Sequence, residues 1–184
     1  MEIKGEYRID AHRQAVWDAL NDPDMLQECI PGCESLEKLS DTEFAAVVVA
    51  AIGPVRAKFK TALKLEDLEP PKSYRLVGES KAAAGFGSGS AVVDLEEIDG
   101  GTLLKYDADF KVGGKLAQVG SRLVLGATRK TADEFFGAFS RALDPGAARI
   151  DQEPAPAESE GSSKTGIIVV AAIAVLLILW FLLR

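Results

Sequence analysis

Residues 54–67 read PVRAKFKTALKLED. Val55, Ala57, Phe59, Thr61, Leu63 and Leu65 alternate with Arg56, Lys58, Lys60, Ala62, Lys64 and Glu66, so one row of side chains suits an apolar interior and the other suits water. The period of two predicts a half-buried β-strand. Residues 102–112, TLLKYDADFKV, repeat it, with Leu104, Tyr106, Ala108, Phe110 and Val112 set against Lys105, Asp107, Asp109 and Lys111. KSYRLVGES from Lys72 and GSAVVDLEEI from Gly89 follow the same rule less strictly.

Working outward, turn signals at Ser40-Asp41, Gly53-Pro54, Pro70-Pro71, Gly85 to Gly89 and Gly100-Gly101 separate these runs and predict a meander of consecutive antiparallel strands. Residues 42–52, TEFAAVVVAAI, are apolar on both faces, so the second face calls for cover by a helix, a partner or another subunit. Upstream, IKGEYRI leads to Asp10, the expected helix cap, after which Ala15, Val16, Ala19 and Leu20 share a face. Asp22-Pro23 opens a second helix carrying Met25, Leu26 and Ile30, and Pro31-Gly32 stops it. Downstream of Gly113-Gly114 the period returns to helical: Leu116, Val119, Leu123, Ala127, Phe135, Phe136, Phe139 and Leu143 predict one helix of about 30 residues, about 45 Å long, lying across the sheet. The fold class is α+β, a curved antiparallel sheet around a long closing helix.

The 184 residues carry a net charge of −7 with a pI near 4.9, room for one domain and a poor match to phosphate backbones, so a nucleic-acid partner is not expected. MEIKGEYRID has charges where a signal peptide needs an apolar core, which predicts a domain that stays in the reducing cytosol. Cys29 and Cys33 without further Cys or His cannot complete a zinc shell, and burial is their expected state. The lone His12, on an expected helix start, cannot support a Ser-His-Asp set, and Asp22, Asp24 and Glu28 read as dipole partners of a helix start. GFGSGS is followed by a strand instead of a helix, so it predicts no phosphate loop but either a mobile hairpin with Phe86 at a cavity mouth or an ordinary glycine turn. The basic stripe Arg56, Lys58, Lys60 and Lys64 is expected to be neutralised by Glu79, Asp94, Asp107 and Asp109 across the strands.

The last stretch, residues 166–184, reads GIIVVAAIAVLLILWFLLR. Gly166 to Leu183 carry no charge, enough for about 27 Å of helix, and Trp180 and Arg184 suit the far interface. This predicts a single-pass carboxy-terminal anchor in the inner (cytoplasmic) membrane with the domain, residues 1–143, facing the cytoplasm. Residues 144–165, rich in Pro, Ala, Glu and Ser, predict a flexible linker with a mean span near 25 Å.

ECIPGCESLEKL, IGPVRAKFK, GFGSGSAVVDL and GGKLAQVGSRLV, in that order, resemble the CoxG family, the carbon monoxide dehydrogenase G-subunits, within the START-like, polyketide-cyclase (SRPBCC) helix-grip superfamily. The resemblance covers residues 1–143. It implies a membrane-associated accessory protein, not an enzyme, for a cytoplasmic molybdenum hydroxylase of the CO dehydrogenase type. It also implies a hydrophobic cavity for a quinone or other lipid, with no covalent cofactor and no metal. Inward-facing small residues, Ala57, Gly78, Ala82, Ala91 and Ala108, beside large ones leave either close packing or empty volume. The candidate ligand-binding residues are Phe59, Leu63, Leu76, Phe86, Val93, Leu104, Tyr106, Phe110, Leu116, Val119 and Leu123. Two alternatives stand beside this one: a pure membrane adaptor docking through residues 42–52, and a cyclase or hydrolase using Thr61, Ser80 and Tyr106.

Overall fold

In a computed structural model, residues 1–143 are described, and the expected linker and membrane anchor lie outside them. The elements run β1 (Glu2–Ile9), α1 (Arg13–Leu20), α2 (Pro23–Cys29), β2 (Cys33–Lys38), β3 (Glu43–Ile52), β4 (Val55–Glu69), β5 (Ser73–Ala82), β6 (Gly85–Ile98), β7 (Gly101–Phe110), β8 (Gly113–Gly114), α3 (Lys115–Val119) and α4 (Ser121–Leu143). All strand pairs are antiparallel, in the order β1-β7-β6-β5-β4-β3-β2, with β8 appended to β6. Consecutive hairpins give the meander, and β1 closes it beside β7. Among the described residues no helix is long and apolar enough to cross a membrane.

The alternation in β4 is realised: Phe59, Thr61 and Leu65 are buried while Arg56, Lys58, Lys60 and Lys64 are exposed. Its inward row, with Leu76 of β5, Val93 of β6 and Leu104 and Phe110 of β7, forms the sheet side of the core. The outward row of β3, Ala45, Val47, Val49 and Ala51, is half-buried, and its ladder neighbours Val47↔Lys60 and Val49↔Lys58 place lysines beside it.

Several local expectations are corrected. Asp10 does not cap α1; His12 occupies that position without a side-chain bond, and Asp10 accepts from Arg8 instead. Ala15 is exposed and Trp17 is buried edge-on against Tyr74, their ring centroids 5.6 Å apart. The second helix starts as expected, Asp22 accepting from the backbone N–H of Asp24 at 2.9 Å with Pro23 in the first turn. The glycine run is not a loop: the turn is Ala83-Ala84, and GFGSGS is strand. Glycine there permits close backbone approach, since a Cβ on Gly85 would lie 2.4 Å from the Gly113 carbonyl oxygen.

The long helix expected past Gly113 is two helices. Gly120, at φ +94°, breaks the chain between α3 and α4, a conformation that costs other residues strain. The break resets the helical phase, so the buried stripe of α4 is Val124, Thr128, Thr131, Ala132, Phe135, Phe136 and Phe139, and Leu123 is 53% exposed. α4 spans about 35 Å and packs against α2 and β1. The expected charge pairing differs as well: Lys58 pairs with Glu34 at 2.6 Å and Lys64 with Glu66 at 3.1 Å, while Asp107 takes Lys4 and Asp109 takes the amino-terminal ammonium. The register contributes to this, because it sets Lys60 opposite Lys81 and Lys64 opposite Val77.

Candidate functional site

Between α2, strands β2 to β5 and α4 lies an apolar cavity of about 40 Å³. Leu20, Leu26 and Ile30 line it from the two short helices, and Leu36 and Phe44 from β2 and β3. Leu63 and Leu65 of β4, Tyr74 and Leu76 of β5 and Phe135 of α4 complete the wall. The two short helices hold their side because the Asp22 cap and Pro23 fix the start of α2, and the Gln27 side chain accepts from the Leu36 N–H at 3.1 Å, pinning α2 to β2. The Tyr74 hydroxyl is the single side-chain polar group in the lining, and burial pushes its pKa up, keeping it neutral.

This volume is well below that of an apolar hollow that takes benzene, about 150 Å³. The aromatic side chains of α4 account for the filling. Phe135 and Phe139 stack with centroids 5.5 Å apart, Phe136 stacks on Tyr7 of β1 at 4.0 Å, and all three rings are buried between α4 and the sheet. The Tyr7 hydroxyl donates to Asp133 at 2.7 Å and ties α4 to β1; burial first, and this hydrogen bond second, push the Tyr7 pKa up.

Of the candidate residues, Leu63 and Leu76 line the cavity. Phe59, Val93, Leu104, Phe110 and Leu116 are core residues outside its wall, and Tyr106 stacks beside Tyr7 and Phe136. Phe86 covers Gly113, whose added Cβ would meet its ring, and Val119 and Leu123 rest over the Gly53 turn. Thr61 and Ser80 bond one another at 3.2 Å, away from Tyr106, so these three polar groups do not converge. Sequence reasoning missed the wall supplied by α1 and α2; the apolar run Leu20, Leu26, Ile30, Leu36 was visible, but its direction was not.

Cys29 and Cys33 are free, and burial raises both thiol pKa values, so they stay protonated near neutrality. Among the described residues no group of three or more His, Cys, Asp or Glu could hold a metal ion. His12 lies in a shallow surface groove with Asp10, Gly100, Gly101 and Leu143.

The family model of the carbon monoxide dehydrogenase G-subunit (CoxG) matches residues 5–144. The chain belongs to the CoxG family. No curated protein matches it. A conserved protein of Geobacillus kaustophilus has a similar structure, with a TM-score of 0.74 and 29% identity over 78% of this chain and 95% of that one. TTHA0849 of Thermus thermophilus matches with a TM-score of 0.61 at 15% identity, covering 82% of this chain and 100% of its own. The ZhuI aromatase/cyclase of Streptomyces sp. R1128 matches with a TM-score of 0.60 at 12% identity over 78% of this chain and 93% of its own. These likenesses establish the helix-grip fold for this CoxG domain, and the family name associates it with CO dehydrogenase.

Proposed function

We propose that this CoxG protein is a membrane-anchored accessory protein that carries an apolar molecule, a quinone or another lipid, for a CO dehydrogenase-type molybdenum hydroxylase on the cytoplasmic face of the inner membrane. The observation that carries the reading is the leucine-lined cavity under α2 and α4, whose chemistry selects an apolar guest. A guest of quinone size requires the cavity to expand. The helical side of the wall, Leu20, Leu26, Ile30 and Phe135, lies on elements that can shift as bodies while the strands that supply the other side stay hydrogen-bonded. Residues 166–184 hold the domain near the phase in which such a guest dissolves, and residues 144–165 give it reach. The protein binds and couples; the oxidoreductase performs the chemistry.

Organic extraction of the purified full chain, followed by mass spectrometry, tests this. Wild-type protein is expected to yield one lipophile per chain and Leu63→Trp, which fills the cavity, to yield little while keeping its near-UV spectrum and membrane location. Equal recovery from both, or from neither, contradicts the reading. A pure adaptor is the second reading, favoured by the small cavity volume. Under it, Leu63→Trp leaves electron transfer from the hydroxylase unchanged. A cyclase-type enzyme finds less support, because Thr61 and Ser80 satisfy each other and stand apart from Tyr106.

A further inference from the structure

Cations in this acidic chain are unevenly placed. Residues 44–65, 80–93 and 110–132 contain no Asp or Glu, yet they hold ten of its 21 lysines and arginines. The fold gathers part of each stretch at one place. The Lys115 N–H donates to the Ala84 carbonyl at 3.0 Å, bringing the β5–β6 turn to α3. Val119 and Leu123 sit 3.3 and 3.6 Å from where a Cβ on Gly53 would be, bringing the β3–β4 turn to the same place. Arg56, Lys111, Lys115 and Arg122 are exposed there and make no ion pair among the described residues. Of the nearby acids, Glu34 pairs with Lys58 and Asp109 with the terminal ammonium, and Glu2 lies across from Asp109. Leu123, 53% exposed, stands among these cations.

The opposite end has the opposite character: Asp22, Asp41 and Asp99 lie in its turns, Asp67 near the end of β4, and Leu143, where the described chain ends, sits there beside Asp10 and Gly100. The domain is therefore polarised along its length, basic at one end and acidic at the other.

We propose that the basic end, formed by the Gly53 and Ala84 turns, α3 and the first turn of α4, docks on a bilayer bearing anionic headgroups. Arg56, Lys111, Lys115 and Arg122 meet lipid phosphates, and Leu123 enters the interfacial layer. Exposed cations gathered at the same end as an exposed leucine fit a charged surface with an apolar interior better than they fit a purely acidic protein groove. The geometry needs a tether longer than the 35 Å or so that separate the ends of α4, and the 22 residues 144–165 have a maximum reach of about 75 Å. The inference rests on the membrane reading of residues 166–184 only for proximity, and the test separates the two.

The full chain is reconstituted in nanodiscs of zwitterionic lipid alone, or with about a third anionic lipid, and its lysines are footprinted with an amine-reactive label. Retention on zwitterionic discs reports the tail. Docking is reported by the difference between discs: Lys111 and Lys115 are expected to lose labelling about fivefold on anionic discs and to regain it near 0.5 M salt, with Lys4 and Lys105 unchanged throughout. Arg56→Gln with Arg122→Gln is expected to abolish that protection with an unaltered near-UV spectrum. Equal labelling in both discs overturns the proposal. Protection in detergent that disappears when Asp151, Glu153, Glu158 and Glu160 are neutralised also overturns it, making the occupant the chain's own acidic stretch. Protection that needs an added oxidoreductase overturns it too, making the occupant a protein.

Discussion

Tyr7 shows how one hydroxyl couples packing to ionisation. Its ring stacks on Phe136 and its oxygen donates to Asp133, so the neutral phenol is the form the folded chain favours. Burial and that hydrogen bond raise its pKa above the ordinary 10.0; burial does the same for Tyr74 and Tyr106. The unfolded chain therefore gives up these protons first as pH rises. The stability held by the neutral phenols is fully present below about pH 10 and is lost progressively above it. Denaturant midpoints measured from pH 8 to 11.5 are expected to fall only in the upper part of that range. Tyr7→Phe is expected to lower stability by about 1 kcal/mol at pH 7 and to make the alkaline fall shallower. A midpoint that falls evenly from pH 8 contradicts this assignment.

At the scale of elements, the helix break at Gly120 determines which side chains of α4 face the sheet. Leu123 would be buried if α3 and α4 were one helix, and Val124 is buried because they are two. Val124→Ala is accordingly expected to cost about 1 to 3 kcal/mol and Leu123→Ala less than about 0.5 kcal/mol, as read by urea unfolding of the full chain. The reverse order would point to a continuous helix. This contrast also marks what the sequence made legible. A period of two is read locally, so β4 and β7 could be placed residue by residue from Val55 to Leu65 and Leu104 to Phe110. A helical period accumulates error at any break, and Gly120 looks no different from Gly126, which α4 tolerates, until its backbone angle is known. GFGSGS misled for a related reason: glycine permits both a turn and a close strand crossing, and the crossing at Gly113 comes from a segment remote in the chain.

For the whole molecule, the sequence could show that small and large residues share the sheet's inner face, but not which of them the closing helix would fill. Phe135, Phe136 and Phe139 answer that, leaving a small leucine-lined hollow displaced toward α1 and α2 and away from most of the candidate ligand residues. A guest therefore enters only if the two short helices and α4 yield to it. Trp17 is placed to report such a shift, since its indole packs edge-on against Tyr74, a residue of the cavity wall. Only Trp180 shares its signal, and Trp180→Phe removes that. The most direct measurement is quenching of Trp17 fluorescence in full-length Trp180→Phe protein titrated with a short-chain quinone. Saturation at one equivalent, lost when Leu63→Phe and Leu76→Phe fill the cavity, is the expected result; quenching that rises without saturation and is the same in the filled variant would contradict a guest-accepting interior.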